Sequence, residues 1–238
     1  MSRARDNNAR NNHARNNLDD WQTAAASEET QGSGCLSGFI IPPLMVLIVG
    51  SLLAIFAFSS SAQPIPMQTP GSVQLSPVFT PEVQYWKSSI LRWSSASGLD
   101  PNLVAVIMQI ESCGDPFARS SAGAIGLFQV MPYHFLSSDD PAAPDTNAAR
   151  GLDYLSRSLS AAGNDVRLAL AGYNGGIGLI STGEWGWPAE TIRYTYWGSG
   201  IYADAVSGAP HSSRLDEWLS AGGSGLCNAA DGYLGINK

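Results

Sequence analysis

The stretch "MQIESCGDPFARSSAGAIGLFQVMP", Met108 to Pro132, puts a lone glutamate at the end of an apolar run. A Gly/Ser/Ala-rich turn follows, and then a glutamine among hydrophobes. The run starts upstream, where Asp100 caps a helix and Pro101 opens it. Leu103, Val104, Ile107, Met108 and Glu111 then keep the 3.6-residue period until Gly114 stops it. Glu111 thus lies on the stripe of Val104 and Met108 and turns toward the core side of its helix. Burial there disfavours the ionised carboxylate. A place in the last turn, at the negative end of the backbone dipole, acts the same way. A glutamate held protonated near neutral pH can serve as a general acid. The plain alternative is a side chain that reaches solvent or pairs with Arg119.

The flanking sequence predicts helix after helix. "TPEVQYWKSSILRWSSASG" has Thr80 as N-cap, Pro81 in the first turn, Trp86, Ile90 and Trp93 at helical spacing, and Gly98 as a stop. Downstream, helices are expected over Thr146–Ala162, with Leu152, Leu155 and Leu159 on one face, over Asp165–Tyr173 and over Pro188–Trp197. A weaker one falls at Ser213–Ala221. Strand-like alternation is absent, and no repeat of solenoid period occurs. The expected fold is mainly α, with one domain at 80–205 and a carboxyl-terminal extension at 206–238.

The amino-terminal third has a different texture. Residues 1–37 are dominated by Asn, Ala, Arg and Asp and cannot bury enough surface to offset chain entropy, so a disordered tail is expected. Residues 38–58, "GFIIPPLMVLIVGSLLAIFAF", carry no charge and are long enough to cross a bilayer as a single transmembrane signal-anchor. Arg3, Arg5, Arg10 and Arg15 precede it, and the far flank has no Lys or Arg until Lys87. That asymmetry keeps the amino end cytoplasmic and exports the rest. Because Pro42 and Pro43 shorten the uninterrupted run, cleavage near Ala62 and secretion is the alternative. Residues 59–79, rich in Ser, Gln and Pro, read as an extended linker.

Composition removes other classes. The formal charge of -7 and the lack of a basic patch argue against nucleic acid as a partner. Cys35, Cys113 and Cys227 have no CxxC spacing, and His13, His134 and His211 are scattered, so no metal site is expected. Ser112, His134 and a distant Asp lack the Gly-x-Ser-x-Gly elbow of a hydrolase triad.

"IESCGDPFARSSAGAIGLFQVMP", Ile110–Pro132, resembles the lytic transglycosylase domain related to goose-type lysozyme. In that family a helix ending in Glu-Ser precedes a Ser-x-x-Gly-Ala-x-Gly-Leu-x-Gln-x-Met-Pro segment. "ALAGYNGG", Ala169–Gly176, resembles the family's Ala-x-x-Tyr-Asn-x-Gly block, and "ETIRYT", Glu190–Thr195, its Glu-Thr-x-x-Tyr block. Phe128 stands where Met is usual, Ser121 where Pro is frequent, and Gly175-Gly176 where Ala-Gly is more common.

The resemblance implies a lysozyme-like helical domain that acts on peptidoglycan glycan strands without a cofactor. Matched position by position, Glu111 is the single catalytic acid/base and Ser112 its structural neighbour. Ser120, Gln129 and Met131 are cleft residues, Tyr173 and Asn174 a pair beside the acid, and Glu190 with Tyr194 the opposite wall. Asp115 lies between Gly114 and Pro116, a turn context that disfavours a catalytic role. The implied reaction uses no second carboxylate. Glu111 protonates the glycosidic oxygen after N-acetylmuramic acid, then takes the proton of that sugar's own C6 hydroxyl, which closes on C1 to give a 1,6-anhydro end. An attached nucleophile has a high effective concentration. Hydrolysis by the same scaffold (a muramidase) and a non-catalytic wall-binding module are the competing readings. Tyr173, Trp185 and Trp187 can offer stacking faces, although both tryptophans suit a core equally well. Cys113 and Cys227 both fall in the exported part, where pairing persists, and a link would fix the tail beside the catalytic helix.

Overall fold

The computed structural model describes residues 74–236. The expected tail, the 38–58 anchor and the linker up to residue 73 lie outside the described residues. Among the described residues the fold is helical. No strand forms, only isolated bridges pairing Ile125 with Arg119 and with Val130. No helix of the described residues is long and apolar enough to cross a membrane.

Local signals explain most helix starts. In α1 (Pro81–Tyr85) and α2 (Lys87–Ser97) the expected single helix is broken at Trp86, and Gly98, at φ 71°, ends it. Asp100 accepts a 2.7 Å hydrogen bond from the Asn102 backbone N–H, and Pro101 fills the first turn, which starts α3 (Pro101–Ser112). Cys113, with φ 49°, rather than Gly114 closes it. Helix α4 runs over Pro144–Ala161. In α5 (Val166–Gly175) the Asp165 carboxylate caps the Leu168 N–H at 3.0 Å. Two short 3-10 turns, Ile177–Thr182 and Glu184–Gly186, lead to α6 (Ala189–Val206). This helix runs well past the expected end at Trp197, since Ile201, Tyr202 and Ala205 continue its buried face.

Helix α3 is the axis of the domain. Every residue from Leu103 to Ile110 is buried, because α1, α2 and α6 surround it and the carboxyl-terminal helix Ser224–Leu234 packs on it as well. Burial on all sides is what an all-round apolar helix requires. Helix α5 packs between α4 and α6 and completes the core.

Two boundaries shift from expectation. Leu75, Val78 and Phe79, within the stretch read as linker, are buried in the core. The Asn102 side chain accepts the Ser76 N–H at 2.8 Å, and Gln109 Oε1 accepts the Thr80 N–H at 3.2 Å. The packed domain therefore begins by Leu75, because a short Leu-x-x-Val-Phe pattern anchors it despite the surrounding Ser and Pro. At the other end, α7 (Ser213–Trp218) passes through a π-turn, Leu219–Gly223, into α8 (Ser224–Leu234), a helix the sequence reading omitted. Its glycines hid it, although Leu226, Cys227 and Ala230 form a buried stripe. A disulfide joins Cys113 to Cys227 with Cα atoms 4.9 Å apart, so the extension is bonded to the end of α3.

Candidate active site

Glu111 sits in the last turn of α3, partly open to solvent, and its Oε1 accepts a 2.8 Å hydrogen bond from the Tyr194 hydroxyl of α6. Its pKa is pushed up to about 8, chiefly because the surrounding protein strips the charged form of water. The Tyr194 bond opposes the rise, and the negative charge of Glu190 adds to it. The partial opening leaves the carboxyl reachable from solvent, while crowding around it favours the proton. Tyr194, not Arg119, is thus the hydrogen-bond partner of the acid. Burial, and then the nearby Glu111 charge, hold both Tyr194 and Tyr173 well above the usual phenol range, so each remains a neutral donor.

The Gly-Leu-Phe-Gln turn beside the acid is fastened from three elements. Ser112 Oγ of α3 donates to the Leu127 carbonyl at 2.8 Å and accepts the Gly114 N–H at 3.1 Å. Tyr173 Oη of α5 donates to the Phe128 carbonyl at 2.8 Å. Asn147 of α4 accepts the Phe128 N–H at 2.9 Å and donates to the Ile125 and Pro141 carbonyls at 2.8 and 3.0 Å. The turn leaves little room for side chains. A Cβ on Gly126, which has φ 77°, would meet Asn147 Nδ2 at 2.5 Å, and one on Gly151 would meet Phe128 Cβ at 2.6 Å.

The other candidate residues fall around this frame. Ser120 Oγ accepts the Ala124 N–H at 3.0 Å and closes the small loop before the turn. Gln129, at φ 44°, uses its Nε2 on the Ala118 and Gly126 carbonyls at 3.1 and 3.0 Å, so its amide nitrogen braces the loop. Met131 is partly buried at the start of the Pro132–His134 3-10 turn. Asn174 Oδ1 accepts a 2.7 Å bond from Thr191 Oγ1, which ties the end of α5 to the start of α6. Glu190 is exposed on the first turn of α6, with Tyr194 one turn further along the same helix. Asp115 accepts the Phe117 N–H at 2.8 Å in a local turn, and burial raises its pKa.

The two tryptophans of "GEWGWP" separate. Trp187 is buried and donates to the Leu179 carbonyl at 3.2 Å, while Trp185 is 92% exposed. Sequence reasoning missed Asn147. Its signal was a polar residue on the Asn147, Gly151, Leu155 row of α4, which otherwise faces the core. Glu82 Oε2 lies 3.9 Å from Cys113 Sγ, but sulfurs bonded to one another present no thiolate, so Glu82, Cys113 and Cys227 do not make a metal centre.

Over part of its length the chain is similar to known proteins. Residues 88–185 match the family model described as "Transglycosylase SLT domain". A "Transglycosylase" of Enterobacteria phage PRD1 is 37% identical over 114 residues, covering 47% of this chain and 40% of the relative. An "Endo-type membrane-bound lytic murein transglycosylase A" of Klebsiella pneumoniae is 37% identical over 62 residues, or 24% of this chain and 30% of the relative. The chain thus spans less than half the length of these relatives. A solved structure, an inactive mutant of the lytic transglycosylase Slt from Pseudomonas aeruginosa, aligns at a TM-score of 0.37 and 19% identity over 63% of this chain and 24% of that one. The family match takes in the acid, the turn and the Tyr173-Asn174 pair and stops just short of Glu190 and Tyr194. Within this chain, residues 88–185 are the part similar to a transglycosylase SLT domain.

Proposed function

We propose that this protein is a peptidoglycan lytic transglycosylase that cleaves the β-1,4 bond between N-acetylmuramic acid and N-acetylglucosamine and leaves 1,6-anhydro ends. One observation carries the reading: the Glu111 carboxyl is desolvated, held protonated to about pH 8 and oriented by Tyr194. Such a group can donate its proton to the departing glycosidic oxygen. Once ionised, it can accept the proton of the muramic C6 hydroxyl, which attacks C1 and closes the anhydro ring. One side chain performs both transfers and no water enters the products. Tyr194 steadies the carboxylate between the two steps. Ser120, Gln129, Met131, Asn174 and Glu190 form the sugar-facing surroundings, with Ser112 and Tyr173 setting the turn beside the acid.

Hydrolysis is the second reading, and the charge of Glu190 registering at Glu111 is what favours it. A two-carboxylate glycosidase needs a base to activate water. Against it, Glu190 is exposed and is the smallest of the influences on Glu111. Mass spectrometry of digested peptidoglycan separates the two, since anhydro products are lighter by one water. Zymography of the wild type and Glu111→Gln tests the acid itself: clearing by both, or by neither, removes the assignment.

The domain is placed outside the cytoplasm, tethered by a single-pass anchor at 38–58 with its amino end inside. The uncharged segment supports this, as does the membrane-bound character of the Klebsiella relative. Retention in the membrane pellet after alkaline extraction is expected, and a soluble product starting near residue 63 would replace the anchor with secretion.

A further inference from the structure

Four aromatic rings lead outward from the acid. Tyr173 lies close enough to Glu111 for the carboxylate charge to act on its phenol. Its ring meets that of Tyr154 at 5.6 Å, Tyr154 meets His134 at 4.8 Å, and His134 meets Tyr133 at 4.5 Å. Successive planes are tilted by 46–67°, so the rings form a stepped wall rather than a flat stack. Exposure grows along it, from the partly buried Tyr173 and Tyr154 to Tyr133 at 74%. The inner rings have structural duties, since Tyr173 holds the Phe128 carbonyl and Tyr154 Oη donates to the Gly172 carbonyl at 3.4 Å. No hydrogen bond or core contact accounts for the outer ring.

We propose that Tyr133 and His134, backed by Tyr154, form an outer sugar-binding subsite that takes the glycan strand as it leaves the Glu111 cleft. This rests on the glycan-cleaving reading above. The argument is continuity: the rings run unbroken from the acid, and the Pro132–His134 turn that carries the outer two follows directly from Gln129 and Met131. Aromatic faces suit pyranose rings because the sugar C–H groups are apolar while its hydroxyls stay wet. A tyrosine supplies that face with little rotamer entropy to lose. Arg157 lies over the Tyr154 ring at 5.2 Å and pairs with Asp153 at 3.1 Å. Burial holds the His134 pKa below its ordinary value, with the Arg157 charge adding to it and Asp153 opposing. That direction favours the uncharged imidazole.

The test uses the full-length chain in detergent. Binding is measured in the Glu111→Gln background with N-acetylglucosamine oligomers from disaccharide to hexasaccharide, and turnover in the active background with purified sacculi. Tyr133→Ala is expected to weaken the hexasaccharide about tenfold, or about 1.4 kcal/mol, with the disaccharide changed less than about twofold. On sacculi the loss falls on KM rather than kcat, and Tyr133→Trp restores it. Because Tyr133 is exposed, an unchanged melting temperature is the control for folding. Equal affinity across the series in Tyr133→Ala, or a loss that Tyr133→Trp fails to restore, overturns the subsite while sacculus cleavage by the wild type leaves the main function standing. A wild type that neither binds nor cleaves sacculi overturns both.

Discussion

Replacing Glu111 with glutamine is expected to stabilise the protein in a pH-dependent way while abolishing turnover. The folded pKa of about 8 lies above the reference value of 4.5, so the folded chain holds this proton more tightly than the unfolded one. Below pH 4.5 both states are protonated and the wild type carries no penalty. Between 4.5 and about 8 the unfolded chain has released the proton and the folded one has not, so stability falls as pH rises, and above about 8 the loss is complete. At pH 7 the penalty is at most about 3 kcal/mol, and above pH 8 at most about 5 kcal/mol. These are upper bounds, because the residue keeps a partial opening to solvent. Glutamine fits the same space, carries no charge and can still accept the Tyr194 hydroxyl. In a domain of this size, the gain at pH 7 corresponds to a rise in melting temperature of up to roughly 6–12 °C. Calorimetry of both proteins from pH 4 to pH 9 reads it directly. The difference should vanish near pH 4 and grow through neutrality. A pH-independent difference, or a destabilised variant at pH 7, would refute desolvation as the cause of the raised pKa.

Turnover by the wild type should decline above about pH 8 as Glu111 loses the proton it must donate, and a rate that keeps climbing there would exclude it as the acid. In Tyr194→Phe the carboxylate loses the bond that opposes its raised pKa, so the alkaline limb of the pH–rate profile should move up while kcat falls about tenfold or more. Asn147→Ala leaves the Phe128 N–H unpaired inside the protein, at about 1–3 kcal/mol, while the Ile125 carbonyl keeps only the Val130 N–H. Urea titration should show a loss of that order, and activity should fall with it because the turn beside the acid loosens. Removing the Cys113–Cys227 disulfide by a double serine change releases a crosslink spanning 114 residues, for a loss of about 2–5 kcal/mol. Melting with and without reductant should show the loss in the wild type and not in the variant.

The sequence alone determined the helical class, the order of most helices and the place of Glu111 at the end of α3, because these depend on short-range signals. Asp100-Pro101 starts α3, and the apolar period then carries Glu111 to its end. Periodicity oriented Glu111 without saying what covers it. Helices α1 and α2 lie just before α3 in the chain, but α6 and α8 come from distant parts, and only the assembly of all four buries Leu103 to Ile110 on every side. The donor to Glu111 is 83 residues away on α6, and the turn beside the acid is held by side chains of α3, α4 and α5. No local pattern contains those pairings. Trp185 and Trp187 make the same point: two residues apart in one motif, they were indistinguishable by composition, yet one is bare to solvent and the other packed. The tertiary structure also decided the edges of the domain. Leu75, Val78 and Phe79 resembled linker until their pocket existed, and α8 was hidden by glycines until its cysteine stood beside α3. Burial is a property of the assembled surface, so sequence can propose which faces are apolar while only packing decides which of them find a partner.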